Sequence, residues 1–113
     1  MQEVPEIDAE TAKTHLDAGD ALFVDIRDPQ SYAVARIPGA IRVDDGNVAE
    51  FLKDTPKDGK VIVCCYHGNN SKDATLYFQE QGFSDVHSLR GGFADWRGHR
   101  YDFESGLPKP ASD

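Results

Sequence analysis

Four short β-rich runs, residues 21–26, 40–43, 61–65 and 86–89, recur along this chain at intervals of roughly twenty residues. Each is followed by a turn signal and then by a helical pattern. Alternation of this kind builds βαβ units and a mostly parallel sheet covered by helices on both faces, so a doubly wound α/β fold is expected. In such sheets ligands gather at the carboxyl ends of the strands.

The segments between the runs read as helices one at a time. Asp8 is a good N-cap for a helix whose Ala9, Ala12 and Leu16 share a face, and Gly19 stands where it should stop. Asp28 and Pro29 read as the N-cap and first residue of a short helix through Tyr32 and Ala35, ended by Pro38-Gly39. Val48, Phe51 and Leu52 form the apolar stripe of a third, with Pro56 beyond its end, and Ala74, Tyr77 and Phe78 that of a fourth closing at Gly82. A last helix starts near Gly92 and buries Phe93 and Trp96. The tail, residues 99–113, has two prolines and little periodicity, which predicts a surface path that frays near Ala111-Ser112-Asp113.

A chain of 113 residues with 39% hydrophobic residues supports one modest core, so residues 1–113 are expected to form a single domain. Twenty acidic against twelve basic residues leave a formal net charge of −8, which opposes binding to phosphate backbones and to anionic membranes. Neither nucleic acid nor membrane is therefore an expected partner. The opening residues Met1 to Glu6 carry acid where a secretory signal carries base, and no stretch approaches the ~20 apolar residues of a membrane span. A cytoplasmic location is the expectation. The two cysteines, Cys64 and Cys65, are adjacent; neighbours in an extended segment point to opposite faces, so a disulfide between them would be strained, and the pair has no metal-site spacing. They read as two thiols with different tasks.

The stretch that carries chemistry runs from Cys65 through Tyr66, His67, Gly68, Asn69, Asn70 and Ser71 to Lys72. A hydrophobic strand ends at Cys65, and a tight loop leads directly into a helix. If that loop curls around the sulfur, its backbone N–H groups and the N-terminus of the following helix point inward and form an anion cradle. A thiolate there is favoured over the thiol, so its pKa should fall below the free-cysteine value of ~8.5. Gly68 and the two Asn are residue types that tolerate the positive φ angles of a curled loop. Lys72 and a protonated His67 would add positive charge. A buried structural cysteine before an ordinary turn is the plainer alternative; it suits Cys64, which lies within the strand run, better than Cys65. Asp25, Arg27 and Asp28 at another strand end are explained most simply as an ion pair with a helix cap.

The segment from Cys65 to Lys72 resembles the active-site loop of the rhodanese family, in which a Cys-x-x-Gly-x-x-Ser loop leads into a helix. It is particularly similar to that of the single-domain thiosulfate sulfurtransferases of the GlpE type. Three further segments agree in order and spacing: Val24-Asp25-Ile26-Arg27-Asp28, Arg36-Ile37-Pro38-Gly39-Ala40 and Gly91-Gly92-Phe93-Ala94-Asp95-Trp96. Together they span residues 7–97. Two positions depart from the family pattern: Arg36 stands where a His is usual, and Asn70 where a Ser is frequent. The resemblance implies a rhodanese-like sheet of about five parallel strands. It also implies sulfur transfer from thiosulfate to cyanide or a thiol through a persulfide on Cys65, with no metal or organic cofactor. The loop from Tyr66 to Lys72 would bind the donor, and a thioredoxin-like protein is a candidate acceptor.

Rhodanese-like folds also host cysteine phosphatases and arsenate reductases, which clamp a tetrahedral dianion with an arginine six residues after the nucleophile. That position is Ser71 here, and Lys72 lacks the planar fork, so phosphoester chemistry is disfavoured. A persulfide carrier serving a protein partner, or a non-catalytic rhodanese-like binding module, are the other readings. Inactive relatives commonly lack the cysteine, which this chain keeps.

Overall fold

In the computed structural model, which describes residues 4–106, the β-rich runs form the strands of one parallel sheet. The strands are β1 (Glu6–Ile7), β2 (Ala21–Asp25), β3 (Ile41–Arg42), β4 (Lys60–Cys64) and β5 (Val86–Leu89). They alternate with α1 (Ala9–Ala18), α2 (Pro29–Val34), α3 (Val48–Asp54), α4 (Asn70–Glu80) and α5 (Gly92–Gly98). The spatial order is β1-β5-β4-β2-β3, every pairing parallel.

Side-chain alternation along the central strands explains why both faces are covered. Phe23, Ile62 and Cys64 point to one face, where Ala9 and Ala12 of α1, Tyr32 of α2 and Phe93 and Trp96 of α5 complete a cluster. Val24, Val61 and Val63 point to the other, against Phe51 of α3 and Phe78 of α4. Two-sided burial is what near-continuous apolar runs such as Val61-Ile62-Val63 require.

The helix signals place the caps well. Asp8 accepts the Thr11 amide at 2.8 Å to open α1, and Gly19 ends it with φ +70°. Asp28 accepts the Ser31 amide at 3.0 Å, with Pro29 as the first residue of α2. Gly82, at φ +103°, follows α4, and the Phe83 amide returns to Phe78 O.

The five parallel strands expected from the resemblance are present, although β1 was not among the four β-rich runs, since two residues are too few to show a period. Three expectations are corrected. Ile26, Ala40, Val43 and Cys65 fall outside the strands, although the Ile26 and Val43 amides still bond to Cys64 O and Asp25 O. Tyr77 is not part of the buried stripe of α4: its ring is 40% exposed, because the helix turns Ser71, Thr75 and Phe78 inward. Finally, residues 99–106 do more than cross the surface. Arg36 and Glu104 exchange both backbone hydrogen bonds at 2.9 and 2.8 Å, and Asp102 O accepts from the Trp96 indole at 2.9 Å. The expected fraying near Ala111 lies outside the described residues.

The topology positions the site. From β2 the chain moves to β3 on one side, and from β4 it moves to β5 on the other, so β2 and β4 are neighbours whose connections leave in opposite directions. The crevice at such a switch point is where open α/β sheets bind ligands. The residues that emerge there are Arg27 after β2 and Cys65 after β4.

Candidate active site

Cys65 leaves the sheet ladder because its carbonyl is claimed from elsewhere. Cys65 O accepts the Phe93 amide at 2.8 Å and Tyr66 O accepts the Ala94 amide at 2.9 Å, so the first turn of α5 holds the start of the loop. That approach requires glycine. Gly92 sits at φ +61°, and a Cβ there would stand 2.5 Å from Cys65 O.

Once the carbonyl is turned away, the loop closes on the sulfur. Cys65 Sγ accepts from the Gly68 amide at 3.0 Å and from the Ser71 amide at 3.3 Å, and Ser71 Oγ lies 3.3 Å from it. Ser71 belongs to the first turn of α4, so the cradle is a helix N-terminus, as the sequence suggested. Gly68 alone supplies the positive φ, +92°; Asn69 is helical at φ −87°, so the expected use of the Asn pair for left-handed geometry is not seen.

The two thiols have opposite electrostatics. Burial works to raise the Cys65 pKa, but hydrogen bonds from the Ser71 hydroxyl and from the amides of Ser71, Gly68 and Asn70 outweigh it, leaving the thiol below its ordinary value. Burial dominates at Cys64 and pushes its thiol well up, with the Asp25 carboxylate adding to the shift. Cys64 is 1% exposed in the core, as expected of a packed cysteine, and neither cysteine is in a disulfide.

The remaining loop residues lie around this cradle. Tyr66 and His67 are exposed, their rings 4.9 Å apart, and Asn69 and Asn70 are exposed on the outer side. The Lys72 ammonium lies 3.9 Å from Glu6, and the sulfur's hydrogen bonds come from Gly68 and Ser71. Asp25 and Arg27 form a buried ion pair with the closest N–O distance 2.7 Å. Arg27 also donates to Ala35 O at 2.7 Å and stacks 4.4 Å above Phe93, tying β2, α2 and α5 together around the site. A groove of about 480 Å³ opens beside Tyr66, lined by Arg27, Val34, Phe93 and Arg97 among others. Among the described residues no Asp or Glu lines it.

One site residue was missed by sequence reasoning. Ser88 of β5 is fully buried, and its Oγ lies 2.6 Å from Ser71 Oγ. A small polar residue in an interior strand carries no local motif, and only the β4–β5 pairing brings it under the loop. Among the described residues no three His, Cys, Asp or Glu side chains gather into a set that could hold a metal ion. No helix among them is long and apolar enough to cross a membrane.

Known proteins share this fold. The family model described as the Rhodanese-like domain matches residues 8–99. The thiosulfate sulfurtransferase GlpE of Pseudomonas aeruginosa is 53% identical over 77 residues, which cover 68% of this chain and 70% of that protein. Its namesake in Pseudomonas fluorescens is 48% identical over 97 residues, covering 86% and 88%. The crystal structure of the BH2092 protein from Bacillus halodurans superimposes with a TM-score of 0.81 at 27% identity, covering 91% of this chain and 78% of that one. With the loop, the glycine contacts and the family match in agreement, this chain belongs to the rhodanese family.

Proposed function

We propose that the protein is a thiosulfate sulfurtransferase that carries sulfur as a persulfide on Cys65. The observation that carries this reading is the Cys65 sulfur, held by the Gly68 and Ser71 amides at 3.0 and 3.3 Å at the mouth of a helix. The relatives named as thiosulfate sulfurtransferases support it.

The chemistry follows from the cradle. The Cys65 thiolate attacks the outer sulfur of thiosulfate; a new S–S bond forms, the S–S bond of thiosulfate breaks, and sulfite leaves with the electron pair. A nucleophilic acceptor, cyanide or a thiol, then takes the terminal sulfur and returns Cys65 as a thiolate. The Cys65 sulfur is anionic as the attacking thiolate of the first step and again as the thiolate released in the second, and the amides aimed there stabilise it without reorganising. In the groove beside Tyr66 the Arg97 guanidinium offers a dianion a favourable approach on a chain of net charge −8, while the charge of Arg27 is balanced by Asp25 in their buried pair. His67 and Lys72 contribute at most long-range attraction, since Lys72 faces Glu6 and His67 is exposed. A thioredoxin-like dithiol can serve as the acceptor as a small thiol can, since either brings the thiolate that the second displacement needs. A cytoplasmic location fits two free cysteines, one of them needed reduced.

Intact-mass measurement after mixing with thiosulfate tests the reading. One added sulfur atom is expected, removed by cyanide and absent in Cys65→Ser. If Cys64→Ser abolishes the gain while Cys65→Ser keeps it, the assignment is wrong.

A further inference from the structure

We propose that Ser88 is a positioning residue for sulfur transfer: it holds the Ser71 hydroxyl so that its proton points at the Cys65 sulfur. The inference rests on Cys65 being the sulfur carrier.

Three atoms form a buried relay, with Cys65 Sγ 3.3 Å from Ser71 Oγ and Ser71 Oγ 2.6 Å from Ser88 Oγ. Ser71 and Ser88 are both 0% exposed, so solvent does not supply partners. Ser88 Oγ has no hydrogen-bond partner other than Ser71 Oγ among the described residues. Its O–H therefore donates to Ser71, since otherwise a buried donor is left unmade, which is costly. Ser71 then accepts on that side, and its own proton goes to the sulfur. The opposite polarity, Cys65 to Ser71 to Ser88, strands the Ser88 hydroxyl. A thiolate fits the first polarity without loss: two O–H protons fill two links. A thiol leaves one donor over, and S–H is the weakest of the three.

The rest of Ser71 is fixed independently. Its amide bonds to the Cys65 sulfur at 3.3 Å and its carbonyl accepts the Thr75 hydroxyl at 2.7 Å, so rotation of the hydroxyl is the freedom Ser88 removes. Among the described residues no charged side chain joins the relay. Lys72 of α4 and Arg90, just past β5, each lie 3.9 Å from Glu6 of β1. The Asp25–Arg27 pair acts on Cys64, His67 is exposed, and Asp95 of α5 faces His99 at 3.5 Å.

The relay matters most when Cys65 is the leaving group. As an acceptor takes the terminal sulfur, charge develops on the sulfur that Ser71 faces, and a hydroxyl already aimed there needs no rearrangement. Loss of Ser88 should thus lower kcat more than it raises KM.

Alkylation of Cys65 by iodoacetamide across pH, located by peptide mapping, tests the proposal in Ser88→Ala, Ser71→Ala and the double variant. Ser88→Ala should raise the alkylation midpoint by about half a pH unit, a roughly threefold fall in thiolate fraction below the midpoint. Ser71→Ala should raise it further, and the double variant should match Ser71→Ala, because Ser88 acts only through Ser71. Ser88→Thr, which keeps the hydroxyl, should return the midpoint to that of the parent. An unchanged midpoint in Ser88→Ala overturns the proposal, as does a double variant displaced beyond Ser71→Ala by the full Ser88→Ala increment. Labelling at Cys64 in place of Cys65 overturns the carrier reading itself.

Discussion

At Gly92 a single hydrogen atom decides whether the Cys65 loop can exist. A methyl group there would stand 2.5 Å from Cys65 O and 2.6 Å from the Tyr66 carbonyl carbon, and the backbone sits at φ +61°. Strain and collision act together, so Gly92→Ala should cost about 2 to 4 kcal/mol in chemical denaturation. Persulfide formation should fall further than stability does, because the atoms displaced are the carbonyls that turn the loop around the sulfur. A variant with near-parental stability and full activity would show that the contact relaxes freely. The sequence made much of this legible. The Cys65-to-Ser71 spacing and the strand before it pointed to a cradle at a helix N-terminus, which is local geometry written in local residues. Gly92 was legible only as part of a segment shared with a family, and its contact with Cys65 depends on α5 meeting the loop. Ser88 was not legible, since its partner lies 17 residues away on another element.

At the scale of elements, the unusual Arg36 explains itself through the segment that follows α5. Its guanidinium donates to Tyr32 O at 3.0 Å and Gly106 O at 2.7 Å, stacks 4.4 Å above the Tyr32 ring and lies 3.4 Å from Glu104. A shorter imidazole cannot reach across α2 to both carbonyls. Arg36→His should therefore destabilise by about 1 to 2 kcal/mol, read in chemical denaturation, as the buried Tyr32 carbonyl and the more exposed Gly106 carbonyl lose their donor. It should leave the kcat/KM ratio among sulfur donors unchanged, because Arg36 does not line the groove beside Tyr66. A changed donor preference at unchanged stability would overturn that account. The caps of α1 and α2 and the end of α4 were read correctly because capping chemistry acts within three or four residues. The docking of residues 99–106 was missed because its contacts, the Arg36–Glu104 backbone bridge, the Arg36 guanidinium on Gly106 O and Glu104, and the Trp96 indole on Asp102 O, join residues distant in sequence and leave no periodic pattern.

Across the whole molecule, the two adjacent thiols give stability a pH dependence with opposing limbs. Cys65 is held below its ordinary pKa, against burial, by the Ser71 hydroxyl and the loop amides. Between its folded value and the unfolded value of ~8.5 the unfolded chain binds more protons, so stability rises with pH through that window. The contribution is complete above ~8.5 and is lost as pH falls through the folded pKa. Cys64, pushed up chiefly by burial, acts in the other direction. Its contribution is complete below ~8.5 and is lost as pH rises toward its folded pKa, because the folded chain then keeps a proton the unfolded chain releases. Together the pair places a stability maximum near the ordinary thiol pKa. Urea denaturation of the parent and of Cys65→Ser across pH isolates the first limb: the parent's advantage should grow up to ~8.5 and then level off. The same comparison with Cys64→Ala should show a constant cavity cost below ~8.5 that shrinks above it. A flat difference for Cys65→Ser would mean that the loop amides do not favour the thiolate in the folded protein, and the cradle would lose its claim to activate the sulfur.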